Sequence, residues 1–121
     1  MTTLIKLTDK EEDIMRVLWM LQKAFVKDIK AKLKQKLHYN TVSTIIRNLE
    51  EKQYVSHEAY GNTHQYYPLV SQDDYQNEIL NQTTDKFFKG SYKDLVSFFA
   101  KEEKISQSDL ESILNHIKQQ K

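Results

Sequence analysis

Residues 40–52 read NTVSTIIRNLEEK, and residues 54–70 read YVSHEAYGNTHQYYPLV. The hydrophobic period changes between these two stretches. In the first, Val42, Ile45, Ile46 and Leu49 fall at i, i+3, i+4 and i+7, which predicts an amphipathic helix over about Asn40 to Lys52. In the second, runs rich in Tyr and Val, Tyr54 to Tyr60 and His64 to Val70, flank the turn-forming cluster Gly61-Asn62-Thr63. That pattern predicts a β-hairpin. Pro68 has no N–H to donate, so its strand should lie at an edge or be near its end.

Upstream, Ile14, Val17, Leu18 and Leu21 repeat the helical register and predict a helix over about Asp9 to Leu21. A second helix is expected over about Lys27 to Lys36, with Ile29 and Leu33 one turn apart. The three apolar stripes can bury one another. Three helices followed by a hairpin is the order of a winged helix-turn-helix.

Downstream the pattern is helical again, in three parts. The first spans about Gln72 to Lys89 with Tyr75, Ile79 and Phe87, and Gly90 follows it as a natural C′ residue. The next spans about Tyr92 to Lys101 with Leu95, Val96, Phe98 and Phe99. The last spans about Gln107 to Lys118 with Leu110, Ile113, Leu114 and Ile117. Capping-box spacing marks four helix starts, Thr8–Glu11, Ser71–Asp74, Ser91–Asp94 and Ser106–Asp109. The fold expected is mainly α with a small β-hairpin. Residues 1–70 would form a winged-helix DNA-binding domain and residues 71–121 a three-helix dimerisation region. So short a C-terminal region cannot bury its large apolar groups alone. A twofold homodimer is expected through Tyr75, Ile79, Phe87, Leu95, Phe98, Phe99, Leu110, Ile113, Leu114 and Ile117.

Composition narrows the function classes. The chain has 121 residues, two glycines, one proline and no cysteine, which removes disulfides, thiolate zinc sites and thiol nucleophiles. The start, Met1 to Lys10, has no apolar signal-peptide core, and no apolar run approaches the roughly 18 residues of a membrane span. A cytoplasmic protein without membrane insertion is expected. His38, His57, His64 and His116 lack ligand spacing, so no metal or other cofactor is expected. No phosphate-binding loop, dinucleotide fingerprint, nucleophile elbow or HExxH occurs, and no enzyme is expected.

The net charge of +1 is unevenly spread, residues 1–70 carrying +3 and residues 71–121 carrying −2. Positive charge is densest at Lys23, Lys27, Lys30, Lys32, Lys34 and Lys36, opposed only by Asp28. Such a stripe suits either phosphate binding or a solvated helix face.

Opposite the apolar stripe of the third helix stand Asn40, Thr44, Arg47 and Glu51, flanked by Thr41, Ser43 and Asn48. In a helix-turn-helix this face enters the major groove. Arg47 can donate to guanine or phosphate, and Asn40 can read adenine or hold phosphate. Lys27 and Lys30 would add phosphate contacts, and Asn62 and His64 would sit on the wing tip. Two rivals share this fold: a ligand-responsive winged-helix regulator, and a winged helix serving only protein–protein contact.

Four stretches carry a family resemblance: Val17-Leu18-Trp19, Thr41 to Leu49, Tyr54-Val55 with Gln65 to Val70, and Leu95-Val96 with Lys101 to Ser106. Together these resemble the penicillinase and methicillin-resistance repressors (the BlaI/MecI family) over nearly the whole chain. The resemblance implies a winged-helix head and a helical dimerisation region. It implies dimers that bind double-stranded palindromic operators with TACA/TGTA half-sites, with Thr41, Thr44 and Ser43 facing the groove. It also implies induction by a membrane sensor-protease that cuts an Asn-Phe bond in the dimerisation helices. Aligned by the Leu95-Val96 pair, that bond falls at Phe98–Phe99, where the Asn is absent. Two further departures are Asn48 where the family has Arg, with Arg47 before it, and Leu37-His38 in place of Trp-Ser.

Overall fold

The computed structural model of the chain describes residues 4–119. Helix α1 spans Asp9–Leu21. Its capping box is complete: Thr8 Oγ1 accepts from the Glu11 N–H at 3.2 Å, and Glu11 Oε1 accepts from the Thr8 N–H at 2.9 Å. A two-residue strand, β1 (Ala24–Phe25), leads into helix α2 (Val26–Lys32). Helix α3 is Tyr39–Glu51. Strands β2 (Val55–Tyr60) and β3 (Thr63–Pro68) form the hairpin.

The hairpin turn is tighter than the sequence suggests. Tyr60 pairs with Thr63, so only Gly61 and Asn62 lie between the strands. Gly61 takes φ +62° at the first central position, as a type II′ turn needs. The sheet has three strands in the order β1-β3-β2, all antiparallel. Pro68 is the last residue of the central strand, where its missing N–H interrupts nothing further along. β1 escapes sequence reading because two residues define no period. Helix α2 ends at Lys32 rather than continuing to Lys36, since Leu33 turns to extended backbone (φ −69°, ψ 138°).

Helix α3 ends without glycine. Gln53 takes φ +65°. The N–H of Gln53 donates to Glu50 O at 3.0 Å and that of Tyr54 to Leu49 O at 2.9 Å. This is a Schellman closure, with Leu49 and Tyr54 supplying its apolar contact, and both are buried.

The core of this part gathers residues from α1, β1, α2, α3 and the sheet, among them Ile14, Leu18, Ile29, Val42, Ile46, Leu49, Tyr54 and Tyr66. Two polar ties fix α1 within it. Glu11, 5% exposed, accepts from Lys52 Nζ at 2.7 and 2.9 Å and so joins α1 to the end of α3. Trp19 Nε1 donates to Val70 O at 2.8 Å.

Helices α4 (Gln72–Phe88), α5 (Tyr92–Lys101) and α6 (Gln107–Gln119) complete the chain. Ser71, Ser91 and Ser106 accept from the N–H groups of Asp74, Asp94 and Asp109 at 3.0–3.1 Å, as the spacing predicts. The chain divides into two compact units between Ile79 and Leu80, inside α4, rather than at Val70. Tyr75 shows why. It is 6% exposed within the N-terminal core and sits 5.9 Å from Trp19 and 5.8 Å from Tyr54 between ring centroids. Its hydroxyl donates to Glu12 Oε2 at 2.6 Å and accepts from the Leu7 N–H at 3.1 Å. Ile79 packs on the same core. Tyr75, expected at the dimer contact, is therefore buried within its own chain, and Ile79 is half-buried against the same core.

The C-terminal unit is different. Of its described hydrophobic residues only Leu95 is buried. Thr84 is also buried, its hydroxyl donating to Leu80 O at 2.7 Å. Phe87, Phe98, Ile113, Leu114 and Ile117 are exposed by 67, 44, 50, 51 and 49%. Phe99 and Leu110 are half-buried, and α6 has no buried residue among those described.

Candidate nucleic-acid interface

Helix α3 presents two unlike faces because its apolar residues keep one register. Val42, Ile46 and Leu49 are fully buried. Asn40, Thr44, Arg47 and Asn48 are exposed, and Thr41 and Ser43 are half-buried beside them. A short hydrogen-bond chain orders this face. Thr44 Oγ1 donates to Asn40 O at 2.9 Å, and Arg47 Nη2 donates to Thr44 Oγ1 at 3.3 Å. The guanidinium carries further N–H donors beyond this bond. At 13 residues, α3 is about 20 Å long, enough to lie in a major groove about 12 Å wide.

A cleft of about 420 Å³ opens between α3, the start of α2 and the wing tip. Lys27, Ser43, Arg47, Asn62 and His64 line it together with Phe25, Tyr39 and Tyr66. Five residues singled out in the sequence thus meet at one place. Lys30 is exposed on α2 but does not line the cleft, and Asn40, Thr41, Thr44 and Asn48 lie on α3 outside it. The cations available in the cleft are Lys27 and Arg47.

Tyr39 and Phe25 were not legible as site residues. Tyr39 is the first residue of α3 and is 50% exposed, because the helix starts one residue earlier than its apolar pattern indicates. Phe25 precedes α2. Its N–H donates to Asp28 Oδ2 at 3.2 Å, and its ring meets Tyr60 edge-on at 6.0 Å, which links β1 to the wing. The Phe25–Asp28 spacing is half a capping box, and it is the one signal in the sequence that marks this start.

Electrostatics at the base of the wing involve Tyr66, which is 3% exposed. Burial pushes its hydroxyl above the ordinary value of 10.0. The Glu50 carboxylate adds to the rise and Arg47 opposes it. Deeper in the core, burial raises the Tyr54 hydroxyl to about 12, with Glu11 adding to the effect. Both phenols therefore act as neutral groups. Among the described residues no three His, Cys, Asp or Glu side chains are placed to hold a metal ion, and no helix is long and apolar enough to cross a membrane.

Comparison with known proteins agrees with the fold. The solution structure of the DNA-binding domain of the repressor BlaI matches 62% of this chain and 94% of its own, at TM-score 0.54 and 22% identity, which shows a shared winged-helix fold. The methicillin resistance regulatory protein MecI of Staphylococcus aureus (strain N315) is 25% identical over 112 residues, 91% of each chain. The penicillinase repressor of Staphylococcus aureus is 24% identical over 118 residues, 93% of this chain and 94% of its own. The penicillinase repressor family model matches residues 7–119, and the chain belongs to that family of transcriptional repressors.

Proposed function

We propose that this chain is a homodimeric, cytoplasmic repressor that binds double-stranded palindromic operators through α3 of each copy. The observation that carries the reading is the meeting of Lys27, Ser43, Arg47, Asn62 and His64 in one cleft beside the ordered Asn40–Thr44–Arg47 face. In this reading Thr41, Ser43, Thr44 and Asn48 approach base edges, Arg47 takes guanine or phosphate, and Lys27 and Lys30 neutralise phosphates. Asn62 and His64 bring the wing tip over the neighbouring backbone. The two half-sites lie about one helical turn, or a multiple, apart.

The second copy contacts the first through the exposed apolar groups of the C-terminal unit: Phe87, Phe98, Ile113, Leu114 and Ile117, with Phe99 and Leu110 beside them. Induction acts on that contact. A membrane sensor-protease cutting at Phe98–Phe99 would sever α5, weaken the dimer and release the operator, because half-site affinities then no longer add. Incubation with the sensor domain, followed by mass determination, tests this step. A chain that stays intact refutes it.

The DNA step is tested by anisotropy titration on a TACA/TGTA palindrome and a scrambled duplex at two salt concentrations. The expected result is preference for the palindrome, steep weakening with salt, and loss of preference in Arg47→Ala and Thr44→Ala. Equal, salt-insensitive binding to both duplexes refutes the reading.

A further inference from the structure

Arg47 is the only cation in α3, and two carboxylates follow it at i+3 and i+4, Glu50 and Glu51. Side chains at those spacings are neighbours on a helix, and opposite charges there pair. Among the described residues Arg47 nevertheless has no ion pair. It leans toward the start of the helix and donates to Thr44 Oγ1. A cation meant for a phosphate has to be kept from its own acidic neighbours.

An advance of about 100° per residue puts the two glutamates on different sides of Arg47. Glu51 falls on the Thr44 side and is exposed to water. Glu50 falls on the Ser43 side, which is the side of the cleft. Of the two, Glu50 is the one whose pairing with Arg47 would neutralise the cleft. It is held elsewhere. Glu50 Oε2 lies 2.5 Å from Nδ1 of His57, on β2. A carboxylate only accepts, so Nδ1 carries the hydrogen. His57 is itself fixed. It pairs with Tyr66 across the hairpin, its ring lies 5.5 Å from the Tyr66 ring, and it stacks on His64 with centroids 4.0 Å and planes 8° apart. The Tyr66 hydroxyl feels both the Glu50 carboxylate and the Arg47 guanidinium, which sets the two charges at one corner of the wing. The cleft beside that corner is lined by Lys27 and Arg47 and by no carboxylate.

Resting on the DNA-binding reading above, we propose that His57 is a positioning residue for Arg47: it holds the Glu50 carboxylate against β2 and so keeps the cation of α3 unpaired for the operator. His57 does not line the cleft, so it acts through Glu50 rather than on DNA. Glu50 is half-buried, and a half-buried carboxylate deprived of its donor takes another within reach. Lys52, just past the end of α3, is engaged by Glu11 at 2.7 and 2.9 Å, which leaves Arg47. Loss of the His57 N–H therefore removes one of the two cations that the cleft offers.

Two measurements on the full chain test this role. The first needs no DNA. The chain has two arginines, and Arg16, paired with Asp13 at 2.6 Å, serves as an internal reference for Arg47 in the arginine side-chain Nε–H NMR spectrum. His57→Phe removes the N–H and keeps a ring for the stack. It should shift the Arg47 signal, and adding Glu50→Gln to the same chain should return it. An Arg47 signal that His57→Phe leaves in place, or that moves equally with and without Glu50, overturns the proposal. The second is operator affinity at several salt concentrations. His57→Phe should weaken it about tenfold and reduce the slope of log affinity against log salt by about 1. Glu50→Gln alone should stay within about twofold of wild type, and the double variant should recover. A tie that only braces the wing predicts the reverse, both single changes weakening binding and the double variant no better, and that pattern overturns the proposal. If His57→Phe fails to fold, Glu50→Gln still decides, since a tenfold loss there overturns it. A wild type that binds operator and scrambled duplex alike refutes the DNA reading itself. Clear preference that His57→Phe leaves unchanged refutes the positioning role alone.

Discussion

Truncation of the exposed face of α6 should separate the two copies without disturbing the winged helix. Ile113, Leu114 and Ile117 are each about half exposed, at 50, 51 and 49%. Full burial of such a side chain is worth about 1.5–3 kcal/mol, so covering the remaining half contributes about 1 kcal/mol each. In a twofold dimer every substitution counts twice. Leu114→Ser is thus expected to cost about 2 kcal/mol, a roughly thirtyfold rise in the dimer Kd. The triple change at Ile113, Leu114 and Ile117 would cost about 6 kcal/mol and leave monomer at micromolar concentration. Sedimentation equilibrium measures the Kd directly. Fluorescence of Trp19, the single tryptophan, reports whether the N-terminal core survives. Operator affinity should fall with the dimer. A wild-type chain that is monomeric at high concentration, or a triple variant with unchanged Kd, refutes the assignment of this face.

Three further outcomes are expected. Arg47→Ala should reduce the slope of log affinity against log salt by about 1 if the guanidinium holds a phosphate, read from titrations at several salt concentrations. Gln53→Gly should stabilise the N-terminal unit by about 1 kcal/mol in urea, because Gln53 occupies φ +65°, which costs a residue with a Cβ about that much. Burial pushes the Glu11 carboxyl up, but its bonds to Lys52 and Thr8 outweigh this and hold it below the ordinary 4.5. A depressed carboxylate stabilises above its unfolded value, and the contribution is lost as pH falls through the folded one. Glu11→Gln should therefore be less stable than wild type at neutral pH, and the difference should close below about pH 4.5, as acid and urea melts would show.

The helices were legible in the sequence wherever a cap and an apolar period coincided. Thr8–Glu11 with Ile14, Val17 and Leu18 gave both ends of α1. Ser91–Asp94 with Leu95 placed α5. The apolar period placed the ends of α1 and α5 at Leu21 and Lys101 and that of α3 within one residue, although the closing conformations themselves were not legible. Gln53 at φ +65° and Glu103 at φ +61° take left-handed backbone in Schellman closures that no residue type announces. The ten-residue extent of α2 expected from Lys27 to Lys36 failed for a related reason. Leu33 and Leu37 keep helical spacing, yet both reach the core from the non-helical segment that follows Lys32. Much of the cleft was legible because a polar face on α3 and a hairpin tip are local patterns. Which of those residues share one cavity was not, since Lys27, Arg47 and Asn62 meet only through tertiary packing. Tyr75 misled for the opposite reason. Its helical register was right, but a long-range pair, Tyr75 with Leu7 and Glu12, decided which unit it joins.

The unequal cores of the two units bear on how repression would be controlled. The N-terminal cluster holds Leu7, Ile14, Leu18, Ile46, Leu49, Tyr54 and Tyr75 among its buried members, whereas Leu95 is the one buried hydrophobic residue described beyond Ile79. The head can therefore fold on its own contacts, while in the dimer proposed above the C-terminal helices would gain their missing burial from association. Folding of that unit and dimerisation would then become one equilibrium that depends on chain concentration. A signal need not reach the DNA-binding face to end repression. Any event that shortens α5 or α6 would raise the Kd of the proposed dimer and leave an intact head with half of the contacts. Since each half-site would supply only part of the free energy, losing the link would weaken operator binding by the effective concentration the dimer had provided. On this argument the same full chain should repress less when its concentration falls below the dimer Kd. Titration of operator occupancy against total protein should then be steeper than first order.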